Sequence, residues 1–329
     1  MPSANVSLQI PVTRFNTLYP GQLGVLGTSN SVGLRTHCTG SVFYVDPNFP
    51  GASDLRDGTD SDCPFRTLQA AVNACQNWHG DEIYVMHNND WQYGPGGTDH
   101  ALCIDEDVIV NKHGIRIVGV AQSSPLGVMW RPATNLGVAC TINSLDVVIE
   151  GFCFMGSLLF GGTAISCVWN GTTAWGENTV IRHNFFGDDI DVGISFAFAW
   201  NCHIYENEFQ RCDTAGLYCD PAGSPLEYCV IKDNIFTDAG LASGGAMAIS
   251  EAENCTIKNN VIFNSAAQAG AACANEGINT SAGGGANMIC GNYFSCTLGA
   301  VFDSFCSADA LDAWVGNWCM NGAQTAPPA

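Results

Sequence analysis

Positive charge is what this chain has least of. Lys and Arg number 11 against 31 Asp and Glu in 329 residues, a formal net charge of −20. Such a surface repels phosphates and anionic headgroups, so nucleic acid and anionic membranes are not expected as partners. Charge of either sign is scarce, at 13% of residues, while glycines number 37. Backbone and small polar groups must therefore cover much of the surface, which repetitive β architectures do well. No apolar run reaches the roughly 18 residues of a membrane span. The N-terminus, Met-Pro-Ser-Ala-Asn-Val-Ser, has neither a basic stretch nor a long apolar run. No secretory leader is expected, and synthesis in a reducing cytoplasm is. The 17 cysteines are odd in number and contain no C-x-x-C, and the 7 histidines show no H-x-H or H-E-x-x-H. Neither zinc nor thioredoxin-like chemistry is indicated. With no G-x-G-x-x-G or G-K-S loop either, no cofactor is expected.

What the sequence does have is a repeat. An apolar residue, a polar one, Ile, two polar residues, Asn, any residue, then Phe or Ile recurs down the chain. It reads VVIEGFCF at 147–154, TVIRHNFF at 179–186, CHIYENEF at 202–209, CVIKDNIF at 229–236, CTIKNNVI at 255–262 and NMICGNYF at 287–294. The anchors Ile149, Ile181, Ile204, Ile231, Ile257 and Ile289 are separated by 32, 23, 27, 26 and 32 residues. IRIVGV at 115–120 adds Ile117 upstream, and AWVGNW at 313–318 is a worn last unit. Side chains alternate apolar and polar with period two, as on a half-buried strand. One unit is too short to bury its own apolar face, so units must stack, about 4.8 Å apart. Variable spacing suits a coil whose turns accept insertions. Second strands fit at 162–166, 192–196, 215–219, 246–250, 276–280 and 299–303. The predicted fold is all-β: a right-handed, single-stranded parallel β-helix.

Columns of like residues follow from stacking. Asn184, Asn207, Asn234, Asn260, Asn292 and Asn317 share one phase, where an Asn at a bend bonds its own turn and the Asn above. Phe154, Phe186, Phe209, Phe236 and Phe294 stand two residues later as an aromatic column. Cys202, Cys229 and Cys255 form a third column, close enough for disulfides but read as buried thiols.

The chain divides into an N-terminal arm at 1–40, an entry segment at 41–104, the coil proper at 105–320 and a flexible tail at 321–329. The entry segment holds a capping helix over 67–79, N-capped by Thr67, with Leu68, Ala71, Val72 and Cys75 on the face that covers the first coil. Such a cap protects the raw sheet edge from aggregation. The arm, with Arg14 and Arg35 its only charges, is read as docking on a partner or as a lid.

Two resemblances follow. The repeat resembles that of pectate-lyase-like proteins over roughly 105–320, which implies the fold and not an activity. FYVDPNFPGASDLRDGTDSDCPFRTLQAAVNAC…DEIYVM is similar to the opening of β-helix virion proteins of tailed bacteriophages. That resemblance implies a homotrimeric capsid decoration or head-fibre protein on the outer surface of the particle. The arm would dock to the major capsid protein or another virion protein. It implies a structural protein rather than an enzyme. The alternative is a tailspike-like carbohydrate binder or depolymerase that meets a surface glycan.

Candidate chemistry is weighed against bland readings. Asp188, Asp189 and Asp191 resemble the paired aspartates of polygalacturonases, but that family's downstream G-H-G and R-I-K are missing, so a solvated turn is favoured. Asp57, Asp60 and Asp62 offer oxygen for calcium, yet Asp-Gly turn chemistry explains them as well. Arg182, Lys232 and Lys258 read as a solvated outer face. Trp169, Trp175 and Trp200 fall at turns, where tryptophan serves a subunit interface or stacks on sugar.

Overall fold

The computed structural model describes residues 40–87, 104–121, 128–156, 161–168, 176–187, 190–219, 226–240, 245–264, 277–280, 285–296, 306, 310–319 and 322–324. Their strands wind into a right-handed parallel β-helix built on two ten-stranded sheets and one of seven strands. A three-stranded ribbon of Ala199–Trp200, Leu226–Glu227 and Ala252–Glu253 lines one corner. Among the described residues no helix is long and apolar enough to cross a membrane.

The first sheet carries the predicted Ile column. Ile117, Ile149, Ile181, Ile204, Ile231, Ile257 and Ile289 are register partners in turn, and all are buried. The column runs further than the repeat foretold. Phe43 and Ile83 extend it upstream and Trp314 closes it, so ten strands stack, spanning roughly 43 Å at about 4.8 Å each. The coil thus begins within the segment read as an entry region. Its first two strands, like those of Ile117 and Ile149, lack the Asn that follows three residues after the later anchors.

The second sheet follows after two residues, as from Arg182 to Phe185 or Lys232 to Ile235. Its inward column stacks Phe154, Phe186, Phe209 and Phe236 at centroid separations of 5.1, 4.5 and 4.6 Å, with planes within 8°. Ile262 interrupts the rings before Phe294. Gly216 on the third sheet leaves the space this stack needs, since a Cβ there would come within 2.7 Å of the Phe236 ring. The predicted second strands at 162–166, 192–196, 215–219, 246–250 and 276–280 all contribute to that third sheet, which also takes in Val108–Val110 and Val138–Ile142. The unit at 299–303 lies outside the described residues.

The corner between the first two sheets is fixed by the asparagines. Asn207 donates from its backbone N and its Nδ2 to Asn234 Oδ1, at 3.0 and 3.1 Å, and from Nδ2 to Ile181 O at 2.9 Å. The same pattern repeats at Asn184, Asn234, Asn260 and Asn292. Each amide therefore bridges three coils, and own-turn bonding is secondary, as with Asn207 Nδ2 to Tyr205 O. The residue before each ladder Asn turns the chain with positive φ: His183, Glu206, Asp233, Asn259, Gly291 and Gly316.

The helix forms with Thr67 as N-cap, but over Leu68–Ala74 rather than 67–79. It stops early because Cys75 is already extended and the next N–H, of Gln76, goes to Asp81 Oδ2 at 2.7 Å. Glu106, from the first coil, caps it from outside, accepting from Leu68 N and Gln69 N at 2.9 and 3.1 Å. Gln69 in turn acts as a strand surrogate: its amide donates to Ile109 O and accepts from Ile109 N, closing the edge of the third sheet. At the other end, Gly322–Gln324 pairs antiparallel with Asn317–Cys319. Part of the segment expected to be flexible is thus a strand, because the last coil offers it an unpaired edge.

Asn234→Ala would remove a buried acceptor and two donations at once. It is expected to cost about 3–5 kcal/mol, counting the partners left unsatisfied. Exposed Glu208→Ala should stay within about 0.5 kcal/mol. Chemical denaturation of both variants checks the contrast, and equal midpoints would refute a structural ladder.

Candidate functional site

The corner that precedes the first sheet repeats with the coil. Four residues before Ile181, Ile204, Ile231 and Ile257 come Glu177, Trp200, Glu227 and Glu253; three before Ile149, Ile181, Ile204, Ile231 and Ile257 come Asp146, Asn178, Asn201, Tyr228 and Asn254. Backbone bonds lock the two columns together: Asp146 N to Glu177 O, Asn178 N to Trp200 O, Asn201 N to Glu227 O and Tyr228 N to Glu253 O, all within 3.1 Å. The second column has positive φ throughout, from 53° to 56°. That conformation suits Asn, whose short side chain tolerates it, and is costly for a bulky residue such as Tyr228.

A surface groove of about 410 Å³ opens here, lined by Glu177, Asn178, Trp200, Asn201 and Tyr228. The Trp200 and Tyr228 rings are 6.2 Å apart, tilted by 43°, and exposed by 41% and 51%. Asn201 Nδ2 donates to Asn178 Oδ1 at 2.7 Å. Burial, seconded by the charge of Asp146, raises the Glu177 carboxyl above its ordinary value. Two aromatic faces, two coupled amides and a carboxyl are groups that bind hydroxyl-rich rings.

The outer face of the first sheet is less solvated than its sequence suggested. Glu150 is fully buried between two guanidinium groups. Arg182 Nε lies 2.5 Å from its Oε2, and Arg116 Nε donates to Oε1 at 2.8 Å. Arg182 also donates to the Tyr205 hydroxyl at 2.9 Å, and Lys232 Nζ sits 5.1 Å from that ring's centre. Arg182 is therefore a buried partner of Glu150 and not a solvated charge; only tertiary register brings the two side by side. Lys232 keeps the expected open pairing, with Asp233 at 3.4 Å. His183 and His203 flank this network. Burial lowers both below their ordinary value, opposed at His183 by Glu206 and aided at His203 by Lys232.

A third feature lies on the outer face of the second sheet. Ile235, Val261, Tyr293 and Trp318 are consecutive register partners and all exposed, with exposed Phe263 beside them. Five large apolar side chains thus form an uncharged stripe on a strongly acidic protein.

The remaining candidates fare differently. Asp191 staples two coils, its Oδ2 accepting from Gly162 N at 3.0 Å. Asp188, Asp189, Trp169 and Trp175 lie outside the described residues. Asp57 and Asp60 are spent on their own turns, accepting from Thr59 N and Asp62 N at 3.2 and 2.9 Å. No group of three potential ligands that includes Asp57, Asp60 or Asp62 comes together among the described residues. Cys202, Cys229 and Cys255 are free thiols stacked inside, where Cys202 N donates to Cys229 Sγ at 3.2 Å. Burial raises the Cys229 thiol well above its ordinary range. Of the three tryptophans singled out, only Trp200 is placed at a site. Its companions Tyr228, Asn178, Asn201 and Glu177 belong to no motif of the sequence, and their fixed distance before Ile181, Ile204 and Ile231 is the available signal.

A family model described as a right-handed beta helix region matches residues 127–294. A search of curated proteins gave no match. Among solved structures, the chain is similar to the GH136 lacto-N-biosidase from Eubacterium ramulus. The native protein aligns with a TM-score of 0.41 at 11% identity, covering 85% of this chain and 68% of that one. Its selenomethionine derivative gives 0.36 at 12%, covering 85% and 67%.

Glu150→Ala should leave the buried Arg182 and the half-buried Arg116 guanidinium groups without their shared partner, at about 3–5 kcal/mol. Lys232→Ala should cost under about 1 kcal/mol. A pH effect follows from the two histidines. Their folded values are depressed, so the unfolded chain takes up protons first as pH falls. Their contribution is complete above the ordinary value of about 6.5 and is lost as pH drops through the folded values. Urea midpoints should fall from about pH 7.5 to about pH 5.5, and less steeply in a His183→Asn, His203→Gln variant. Parallel slopes in the two proteins would exclude the histidines as the cause.

Proposed function

The chain belongs to the right-handed β-helix family, and on that premise we propose that it is a structural protein of a phage virion. It forms a homotrimer that decorates the outer surface of the particle after synthesis in the host cytoplasm. The arm, residues 1–40, attaches it to the major capsid protein or another virion protein. The observation that carries this reading is the stripe of Ile235, Val261, Phe263, Tyr293 and Trp318. Copies with a net charge of −20 repel one another. An uncharged, apolar face is where they can meet, and a contiguous exposed patch of this kind marks an association surface. The entry segment adds support: its strand, loop and helix, which resemble the opening of phage β-helix proteins, build the cap over the first coil.

The groove beside Trp200 and Tyr228 favours a second reading, a tailspike-like protein that binds a surface glycan. In its depolymerase form, cleavage would depend on Asp188 and Asp189. Loss of cleavage in an Asp188→Ala, Asp189→Ala variant with glycan binding intact would establish that form.

Sedimentation is expected to give a trimer, and Phe263→Lys with Trp318→Glu should convert it to monomers without unfolding. Deleting residues 1–40 should abolish binding to particles while leaving the trimer. A wild-type chain that sediments as a monomer at micromolar concentration would refute the association surface.

A further inference from the structure

We propose that the corner groove takes an uncharged oligosaccharide lying along the rod axis, with successive sugar rings stacked on Trp200 and Tyr228. This rests on the glycan-binding reading above and narrows it to one ligand class and one direction.

Three observations converge on it. The first is spacing. Trp200 and Tyr228 come from consecutive coils, which rise by about 4.8 Å, close to the length of one pyranose unit in a chain. Their centroids are 6.2 Å apart, and both side chains are exposed, by 41% and 51%. A sugar presents an apolar C–H face on which such rings stack, while its hydroxyls point sideways. Asn178 and Asn201 stand beside the rings. Their mutual bond uses one N–H and one oxygen, which leaves each amide capacity for a hydroxyl.

The second is charge. Glu177 lines the groove, and Asp146, Glu227 and Glu253 belong to the same two columns along this corner. Carboxylates accept well from sugar hydroxyls, but together they repel uronates, sulfates and sialic acids. The groove therefore admits neutral sugars and rejects acidic ones.

The third is the strain at Tyr228. Asn178, Asn201 and Asn254 hold the equivalent position in neighbouring coils with φ of 54°, 54° and 53°, and Tyr228 stands among them at 56°. A Tyr in this conformation is strained where an Asn is tolerated. The ring is only half covered in return, with 51% of it left to solvent. Asn would serve the fold better, so the aromatic face is kept for another purpose.

The test uses the full chain on an array of neutral and anionic glycans. Calorimetric titration of β-1,4-linked N-acetylglucosamine and glucose oligomers against oligogalacturonate follows. Neutral oligomers should bind, with affinity rising from the monosaccharide to the trisaccharide, and oligogalacturonate should not. Tyr228→Asn and Trp200→Ala should each weaken binding by roughly threefold to tenfold. Tyr228→Asn should melt no lower than the parent, which separates loss of a platform from loss of the fold. Equal binding of oligogalacturonate, no gain with chain length, or full affinity in Tyr228→Asn would overturn the inference while leaving glycan binding in place. No binding to any glycan on the array would overturn both.

Discussion

From Asn184 to Asn317 the coil depends on one repeated bond: the side-chain amide of a buried Asn spanning the coil below and the coil above. A parallel coil needs a sharp corner between its first two strands, and a corner breaks the regular ladder. The buried amide supplies what the backbone loses there, donating to an Ile carbonyl on one side and to the next Asn on the other. Residues with positive φ turn the chain just before each amide. With that corner fixed, Ile must stand over Ile and Phe over Phe. The remaining corners are free to vary in length, which is why the repeat ranges from 23 to 32 residues without losing register.

A stack of this kind has two unsatisfied ends, and the two are closed by different means. At the start, a seven-residue helix covers the core, and Gln69 imitates a strand for Ile109. The helix is too short to persist alone, and it depends on Glu106 and Asp81 reaching it from the coil and the turn beyond. At the finish, the chain folds back into an antiparallel strand. Both devices protect the sheet edge without adding a separate domain.

Because the interior is occupied by the repeat, function is confined to the outside of the coil. Three outer surfaces depart from plain solvation. The first sheet hides a carboxylate between two guanidinium groups, the second exposes an apolar stripe, and the corner offers aromatic rings beside amides and carboxyls. The first is a stability feature, since its charges are consumed by one another. The other two present unspent surface, one apolar and one polar.

The sequence by itself determined the coil: the fold class, the Ile, Asn and Phe columns, the second strands and the N-cap at Thr67. These rest on local periodicity and phase, which a linear reading exposes directly. It also marked Trp200 as a surface residue of interest. Only the tertiary structure decided what depends on neighbours in space. Glu150 and Arg182, 32 positions apart in sequence, become a buried pair only when register sets them side by side. The helix ends at Ala74 because Asp81 competes for its next N–H. Trp200 and Tyr228 become one groove only because successive coils stack, since the distance that joins them runs along the rod axis and not along the chain.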